Sequence, residues 1–139
     1  MRWAVVVLAL LSGCAAQRPQ TADALRQFGA SKTQTFEVRR RHRDVAANLQ
    51  RYAEKCLDRK SYRPTMVVSA RKAELHVVRE GGDADEVPHY VLVADAWPVP
   101  RGRTSVQLFA HNGYDSLVAA VKAWASGKDA RCPDMTRSG

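Results

Sequence analysis

Five consecutive residues carry the densest chemistry in this sequence: Arg39, Arg40, Arg41, His42 and Arg43. A guanidinium group matches a carboxylate or a phosphate through two parallel hydrogen bonds. The run therefore predicts an anion contact, and the anion would be a phosphate or carboxylate group of a ligand or of an acidic partner. The alternative interpretation is a solvated charged corner between two secondary-structure elements.

The overall charge agrees with an anionic partner, since 22 Lys and Arg residues stand against 14 Asp and Glu residues, a formal net charge of +8. The charge is unevenly placed: residues 38–63 hold nine bases and three acids, whereas residues 80–95 hold five acids and no base. Nucleic acid is nevertheless excluded from the expected partners. Sites for single strands interleave basic side chains with aromatic rings on which bases stack, and residues 39–43 contain no Phe, Tyr or Trp.

The histidines do not form a metal-binding motif. His42, His76, His89 and His111 are too far apart in sequence for an HExxH pattern. His76 and His89 would approach each other if the runs that carry them pair as a hairpin. We predict no metal site and no cofactor.

A serine–histidine–aspartate set can be drawn from Ser105, His111 and Asp95, but no GxSxG motif surrounds a serine. Asp95 is the most unusual of the three because it lies inside an apolar, strand-like run. Either its side chain faces solvent, or it is buried and needs a partner for its charge. We predict no catalytic residue and a protein that is not an enzyme.

The first thirteen residues are predicted to be a signal peptide rather than part of the fold. A basic start at residues 1–3 precedes the apolar run 4–11, which is too short to span a bilayer. Leu11-Ser12-Gly13-Cys14 follows, and it resembles the lipobox of bacterial lipoproteins at all four positions. The alternative is an ordinary signal cut just beyond the cysteine.

The lipobox resemblance implies attachment to a membrane. In bacterial lipoproteins the signal is cut before the cysteine and the cysteine is acylated, which makes Cys14 the first mature residue and the lipid attachment site. Two or three acyl chains hold a protein stably at a bilayer, whereas one does not. Ala15 stands where Asp would be the usual sorting signal, and this implies the outer membrane, with the protein facing the periplasm.

The mature chain is predicted to divide into a tether and one domain. Residues 14–33 are small and polar, with Pro19 and Gly29, and are predicted to be a flexible lipidated tether with one helical turn near Asp23–Phe28. Residues 34–135 are predicted to form a single periplasmic domain, and residues 136–139 a polar tail. A chain of 139 residues has room for one adequate core.

The cysteine count supports one disulfide. The chain has three cysteines, Cys14, Cys56 and Cys132. Acylation of Cys14 would leave one pair, and an oxidising periplasm favours a Cys56–Cys132 bridge. The alternative is two buried free thiols.

Hydrophobic periodicity predicts β-rich runs and two amphipathic helices. Val45, Leu49 and Tyr52 share one face of the first helix, and Asp44 is its predicted N-cap. The runs at 65–70 and 74–79 are either a hairpin or one long bent strand. The predicted strands are 35–39, 65–70, 74–79, 89–97 and 104–110, and the predicted helices are 45–58 and 114–126.

These elements predict an α+β fold. The chain lacks a β-α-β-α alternation, so we expect a four- to five-stranded antiparallel sheet with two helices on one face, in the order β-α-β-β-β-β-α. The Cys56–Cys132 bridge would join the ends of the two helices. The order resembles a small helix-grip fold and the folds of small periplasmic lipoproteins, a resemblance that implies no activity.

Two functions follow as hypotheses. The first is a non-enzymatic binding or accessory module of the cell envelope, which contacts an envelope protein complex or an anionic cell-wall component through the four arginines of residues 39–43. The second is a carrier of a small apolar ligand or lipid in a cavity between sheet and helices. Trp97, Trp124, Tyr90 and Phe109 would either line that cavity or fill the core.

Overall fold

Alternating apolar side chains along five runs of the chain build one sheet. The computed structural model describes residues 18–81, 86–128 and 131–135. The strands are β1 Lys32–Val38, β2 Tyr62–Val68, β3 Ala73–Arg79, β4 His89–Val99 and β5 Arg103–Ala110. They lie in the spatial order β1-β5-β4-β3-β2, and every neighbouring pair is antiparallel. The prediction of an α+β protein with an antiparallel sheet is confirmed.

Two amphipathic helices join the sheet: α1, His42–Cys56, and α2, Asp115–Ala125. The prediction of a start at residue 45 with Asp44 as N-cap is wrong, because Arg41 occupies the N-cap position in an extended conformation. Asp44 lies in the first turn. Its negative charge there faces the positive end of the helix dipole.

The hydrophobic core contains side chains from both helices and from the sheet. Leu75, Ala94 and Leu108 occupy matched register positions on three adjacent strands, and all three are buried. The Tyr52 ring of α1 stacks on the Trp124 ring of α2, with centroids 6.2 Å apart. Each large side chain removed from water in this way contributes roughly 1.5–3 kcal/mol.

β2 and β3 are separate strands joined by a turn at residues 69–72. Ser69 closes the turn: its backbone N–H donates to the Lys72 carbonyl at 2.8 Å, and its Oγ accepts from the Lys72 N–H at 3.1 Å. The hairpin alternative is therefore correct, and the single bent strand is wrong.

A short helical stretch precedes β1, and we call it the N-terminal segment. It comprises an α-helical turn at Ala22–Ala24 and a π-helical turn at Leu25–Gly29. Leu25 is fully buried, and the Tyr90 N–H donates to the Pro19 carbonyl at 2.8 Å. These contacts place the start of the packed chain well before residue 34.

The flexible tether predicted for residues 14–33 is therefore wrong for residues 18–33. This stretch is mostly polar, but two of its residues, Leu25 and Arg26, hold it against the domain. Arg26 bonds to Asp95 and Glu74, which alternate along their strands with the core residues Ala94 and Leu75. Because successive strand residues point to opposite sides, the N-terminal segment contacts the sheet face turned away from the core.

Cys56 is the last residue of α1, and Cys132 follows α2. Their Sγ atoms are 2.06 Å apart and their Cα atoms 5.0 Å apart, which is disulfide distance. The structure therefore brings together the predicted pair. Cys14, the predicted signal 1–13 and the predicted tail 136–139 lie outside the described residues.

Candidate anion-binding groove

Two loops at one end of the sheet meet to form a basic groove of about 460 Å³. One wall is the start of α1, because β1 ends at Val38 and only the residues 39–41 separate it from the helix. The other wall is the turn between β4 and β5, where Arg101 and Gly102 both have positive φ. The groove is lined by Arg41, His42, Arg43, Pro98, Val99, Gly102 and Arg103.

The arginines of the groove differ in how their charges are compensated. Arg103 Nη1 donates to Glu37 Oε2 at 2.8 Å, so that its charge is paired. The exposed side chains of Arg41 and Arg43 make no hydrogen bond or ion pair with any residue in the described part of the chain. His42 Nε2 lies 3.1 Å from the Ser69 carbonyl oxygen. Arg41 and Arg43 thus remain available to an anion from outside.

The four predicted arginines do not act as one set. Arg39 and Arg40 do not line the groove. Arg40 Nε donates to the carbonyl of Ser126 at the end of α2 at 3.2 Å, and the Arg40 carbonyl accepts from Thr104 Oγ1 at 2.6 Å. Arg40 therefore connects β1, β5 and α2. Of the four predicted arginines, only Arg41 and Arg43 remain candidates for binding an anion.

The backbone adds to the positive potential of the groove. No side chain caps the N-terminus of α1, and the unsatisfied amides of a first helical turn carry a partial positive charge that favours anions. Two flanking guanidinium groups strengthen that field. The chemistry available here is binding of a carboxylate or a phosphate, since the groove offers donors and no general base other than His42.

A second cluster of charges lies under the N-terminal segment, and sequence analysis found only one of its members, Asp95. The Asp95 side chain is 7% exposed, and Arg26 Nη2 and Lys72 Nζ lie 2.8 and 3.5 Å from its Oδ1. Arg26 also bonds to Glu74 and to Asp23. Asp95 is thus buried and paired, so that the second of the two alternatives is correct and the solvent-facing one is wrong.

The charges of this cluster shift each other's pKa values. Hydrogen bonding to Asp95 raises the pKa of Arg26 against the opposing effect of burial. Burial opposes ionisation of Glu74, but the hydrogen bond from Arg26, together with Lys72 and His76, outweighs it and lowers the pKa of Glu74. Each side chain of the cluster contacts a group of opposite charge, an arrangement suited to holding two elements together.

The histidines pair differently from the expected His76–His89 approach, which is wrong. The His89 ring meets the His111 ring edge to face, with centroids 5.8 Å apart, while His76 meets Tyr90 at the same distance. Burial lowers the pKa of both His89 and His111, and the charge of Arg18 adds to the effect. Among the residues that the structure describes, no group of three His, Cys, Asp or Glu side chains could hold a metal.

The structure does not assemble the serine–histidine–aspartate set. Ser105 pairs with Trp97 across β4 and β5, and Asp95 pairs with Gln107. His111 follows the far end of β5, about 20 Å along the strand from Ser105 at the usual rise per residue. Asp95 is also committed to Arg26.

The aromatic residues predicted to line one cavity are divided between two sides of the sheet. Trp124 is fully buried in the core with Leu108. Phe109 and Trp97 alternate with core residues along β5 and β4, and they are half-buried on the face that carries Asp95. A single aromatic-lined cavity does not form from this set.

No helix in the described ranges is long and apolar enough to cross a bilayer. Comparison with known proteins finds no family model and no curated protein that matches the chain. The chemistry of the basic groove and the lipobox resemblance are the two features that point to a function.

Proposed function

We propose that this protein is a non-enzymatic lipoprotein of the bacterial envelope, acylated on Cys14 and held at the outer membrane with its domain in the periplasm. It acts as a binding or accessory module. Its basic groove takes an anionic component of the cell wall, and the carboxylates of peptidoglycan are the ligand class. The arginines that bind are Arg41 and Arg43.

The observation that carries this proposal is the pair of uncompensated arginines on the groove. Exposed arginines elsewhere on a surface carry no directional information, but Arg41 and Arg43 border one concave site of about 460 Å³ together with the open N-terminus of α1. A carboxylate in this site would accept charge-assisted hydrogen bonds. Each such contact at an exposed site adds about 0.7 kcal/mol, so that both together, about 1.4 kcal/mol, account for roughly a tenfold affinity gain.

Co-sedimentation with isolated peptidoglycan sacculi tests the groove. The variant Arg41→Ser/Arg43→Ser should bind sacculi roughly tenfold more weakly than the parent protein, because two charge-assisted contacts are lost. Raising the salt concentration should weaken the parent protein more than this variant, since screening acts on the charges that the variant lacks.

A matched control separates the groove from net charge. Arg59 and Lys60 precede β2, at the end of the sheet away from the groove. Both are exposed, and their side chains make no hydrogen bond or ion pair within the described ranges, so Arg59→Ser/Lys60→Ser removes the same charge elsewhere. Equal loss of binding in both double variants would refute the groove as the site. Binding to an acidic envelope protein but not to sacculi would assign the groove to a protein partner instead of the cell wall.

Acylation has its own test. The intact mass of the mature protein from membranes should equal that of the chain from residue 14 plus a diacylglyceryl group and an amide-linked acyl chain. An unmodified thiol at Cys14, or a product that still carries residues 1–13, would refute the anchor.

The competing carrier function is less well supported, because Trp97 and Phe109 lie on the sheet face away from Trp124.

The proposed arrangement of layers supports the same assignment. We propose that α1 and α2 cover one face of the sheet and that the chain order from β1 onward is strand, helix, four strands, helix. Mutual contacts between the helices and their shared core support this arrangement. It would leave the opposite face to the N-terminal segment.

A further inference from the structure

The packed N-terminal segment leaves little chain between the proposed lipid and the domain. A tether that ran from Cys14 to residue 34 would reach about 70 Å when fully extended, at roughly 3.5 Å per residue. Pro19 is already buried, and its carbonyl accepts a hydrogen bond from Tyr90 on β4. From Cys14 to Arg18 the chain can reach at most about 14 Å, whatever its conformation.

The part of the domain nearest to this attachment point exposes large apolar side chains. Phe28 is 72% exposed and Val87 is 56% exposed. Both line an open hollow of about 570 Å³, whose other lining residues are Pro19, Ala24, the polar Gln20 and Thr21, and the ion pair of Arg18 and Glu86. Moving a phenylalanine exposed to this degree from water to an apolar environment is favourable by roughly 1 kcal/mol or more. Contact between the hollow and an apolar surface would therefore be stabilising.

The basic groove lies at the other end of the sheet. β4 begins at His89, next to the residue that bonds to Pro19, and it ends at Val99, which lines the groove. Ten steps along an antiparallel strand cover about 33 Å. The groove and the attachment point are therefore separated by about the length of the domain.

We infer that the surface formed by Phe28, Val87 and the hollow between them is a membrane-contact surface, pressed against the bilayer that holds the acylated Cys14. This inference rests on the acylation in the proposed function. The occupant is a bilayer because a reach of about 14 Å keeps this surface within touching distance of the headgroups, and because apolar side chains that enter the interface by 5–10 Å bind there.

The position of the contact surface bears on the ligand of the groove. This surface lies near the His89 end of β4, and the groove lies at its Val99 end. In an orientation with β4 upright on the bilayer, Arg41 and Arg43 lie about 33 Å from it, which exceeds the Debye length of about 8 Å at physiological ionic strength. That orientation would favour anions carried outside the anchoring membrane over the headgroups of that membrane.

Environment-sensitive labels at single introduced cysteines test the contact surface. The full acylated protein is reconstituted in vesicles of phosphatidylethanolamine and phosphatidylglycerol, after an NBD dye is placed at Phe28→Cys, Val87→Cys or Val67→Cys. Val67 is the matched control, because it is also an exposed valine, 49% accessible, but it lies near the groove end of the sheet. Cys56 and Cys132 are at disulfide distance and acylated Cys14 does not react, so each label reports one position.

The expected result is a blue shift and an at least threefold loss of iodide quenching at positions 28 and 87 on reconstitution, with no change at position 67. Equal quenching at all three positions in vesicle-bound protein would overturn the contact surface. Dye uptake by the parent protein that persists in Cys56→Ser/Cys132→Ser reports a free Cys14 thiol, and that result would refute the proposed function together with this inference. An acylated protein with equally quenched labels would refute this inference alone.

Discussion

The Arg26 guanidinium donates two hydrogen bonds to the Asp95 carboxylate, Nε to Oδ2 at 2.9 Å and Nη2 to Oδ1 at 2.8 Å. These two residues are 69 positions apart in the chain. The Asp95 side chain is almost completely removed from water, so that its charge depends on protein partners. The pair joins the N-terminal segment to β4, and with it the proposed lipid anchor to the domain.

Removing Arg26 should destabilise the whole domain. In Arg26→Met, the buried Asp95 keeps only Lys72 as a cationic neighbour, and we expect a loss of about 2–3 kcal/mol in the free energy of unfolding, below the 3–5 kcal/mol of a fully orphaned buried charge. Urea unfolding followed by circular dichroism measures it. Arg59→Met, an exposed site, should change stability by less than about 0.5 kcal/mol. Equal stability of the two variants would contradict a structural role for Arg26.

Stability should also fall as the pH drops below neutral. His89 and His111 have pKa values lowered from 6.5 because burial disfavours their charged forms. The unfolded chain therefore binds protons more readily than the folded one below pH 6.5, and the free energy of unfolding decreases from there toward the lowered pKa values. Glu74 acts later, since its pKa is lowered from 4.5 and its contribution is lost only as the pH falls below that value.

The double variant His89→Gln/His111→Gln isolates the histidine effect. Urea unfolding at a series of pH values should show a shallower decline between pH 6.5 and about pH 5 than in the parent protein, because two titrating groups are gone. His42→Gln removes a histidine from the groove and serves as the control. An identical decline in the double variant and in this control would contradict the assignment.

The sequence predicted the regular elements, the antiparallel sheet and the Cys56–Cys132 pair, but not several other tertiary contacts. Strand β5 and helix α2 fall close to their predicted bounds, because alternation and the 3.6-residue period are local properties. The helical turn near Asp23–Phe28 was predicted. Its packing against the sheet was not, because Leu25, its single fully buried residue, has no periodic companion.

Only one wall of the candidate groove was predicted, for a similar reason. The arginine run is contiguous, so that a basic corner could be recognised between β1 and α1. The second wall, Pro98 to Arg103, joins it only because β1 pairs with β5 and β5 with β4. Asp95 gave a usable signal, since a carboxylate inside an apolar strand needs a cation, but nothing in the sequence singled out Arg26 as that cation.

Loss of the Cys56–Cys132 bridge should lower the free energy of unfolding, because the unfolded chain regains the entropy that the closed loop removes. The two residues are 76 positions apart, and chain entropy gives an upper figure of about 4–5 kcal/mol for such a loop. Cys56→Ser/Cys132→Ser should lower the urea midpoint accordingly. Dithiothreitol should shift the parent protein to the same midpoint and leave the variant unchanged. A parent protein insensitive to the reductant would indicate two free thiols.

Alanine substitutions at Gly127 and at Gly102 test the contact between the end of α2 and Asn48 of α1, with Gly102 as the control. Both have positive φ, 67° and 66°, so alanine at either position costs about 1 kcal/mol of backbone strain. A Cβ at Gly102 would meet nothing within 4 Å, whereas a Cβ at Gly127 would lie 2.8 Å from Asn48 Nδ2 and 3.4 Å from the Arg40 guanidinium.

Gly127→Ala should therefore lose more stability than Gly102→Ala in urea unfolding, because the ends of the Asn48 and Arg40 side chains must move as well. Displacing Arg40 also weakens its hydrogen bond to the Ser126 carbonyl at the end of α2. Equal stability losses in the two variants would show that Asn48 and Arg40 do not constrain this turn.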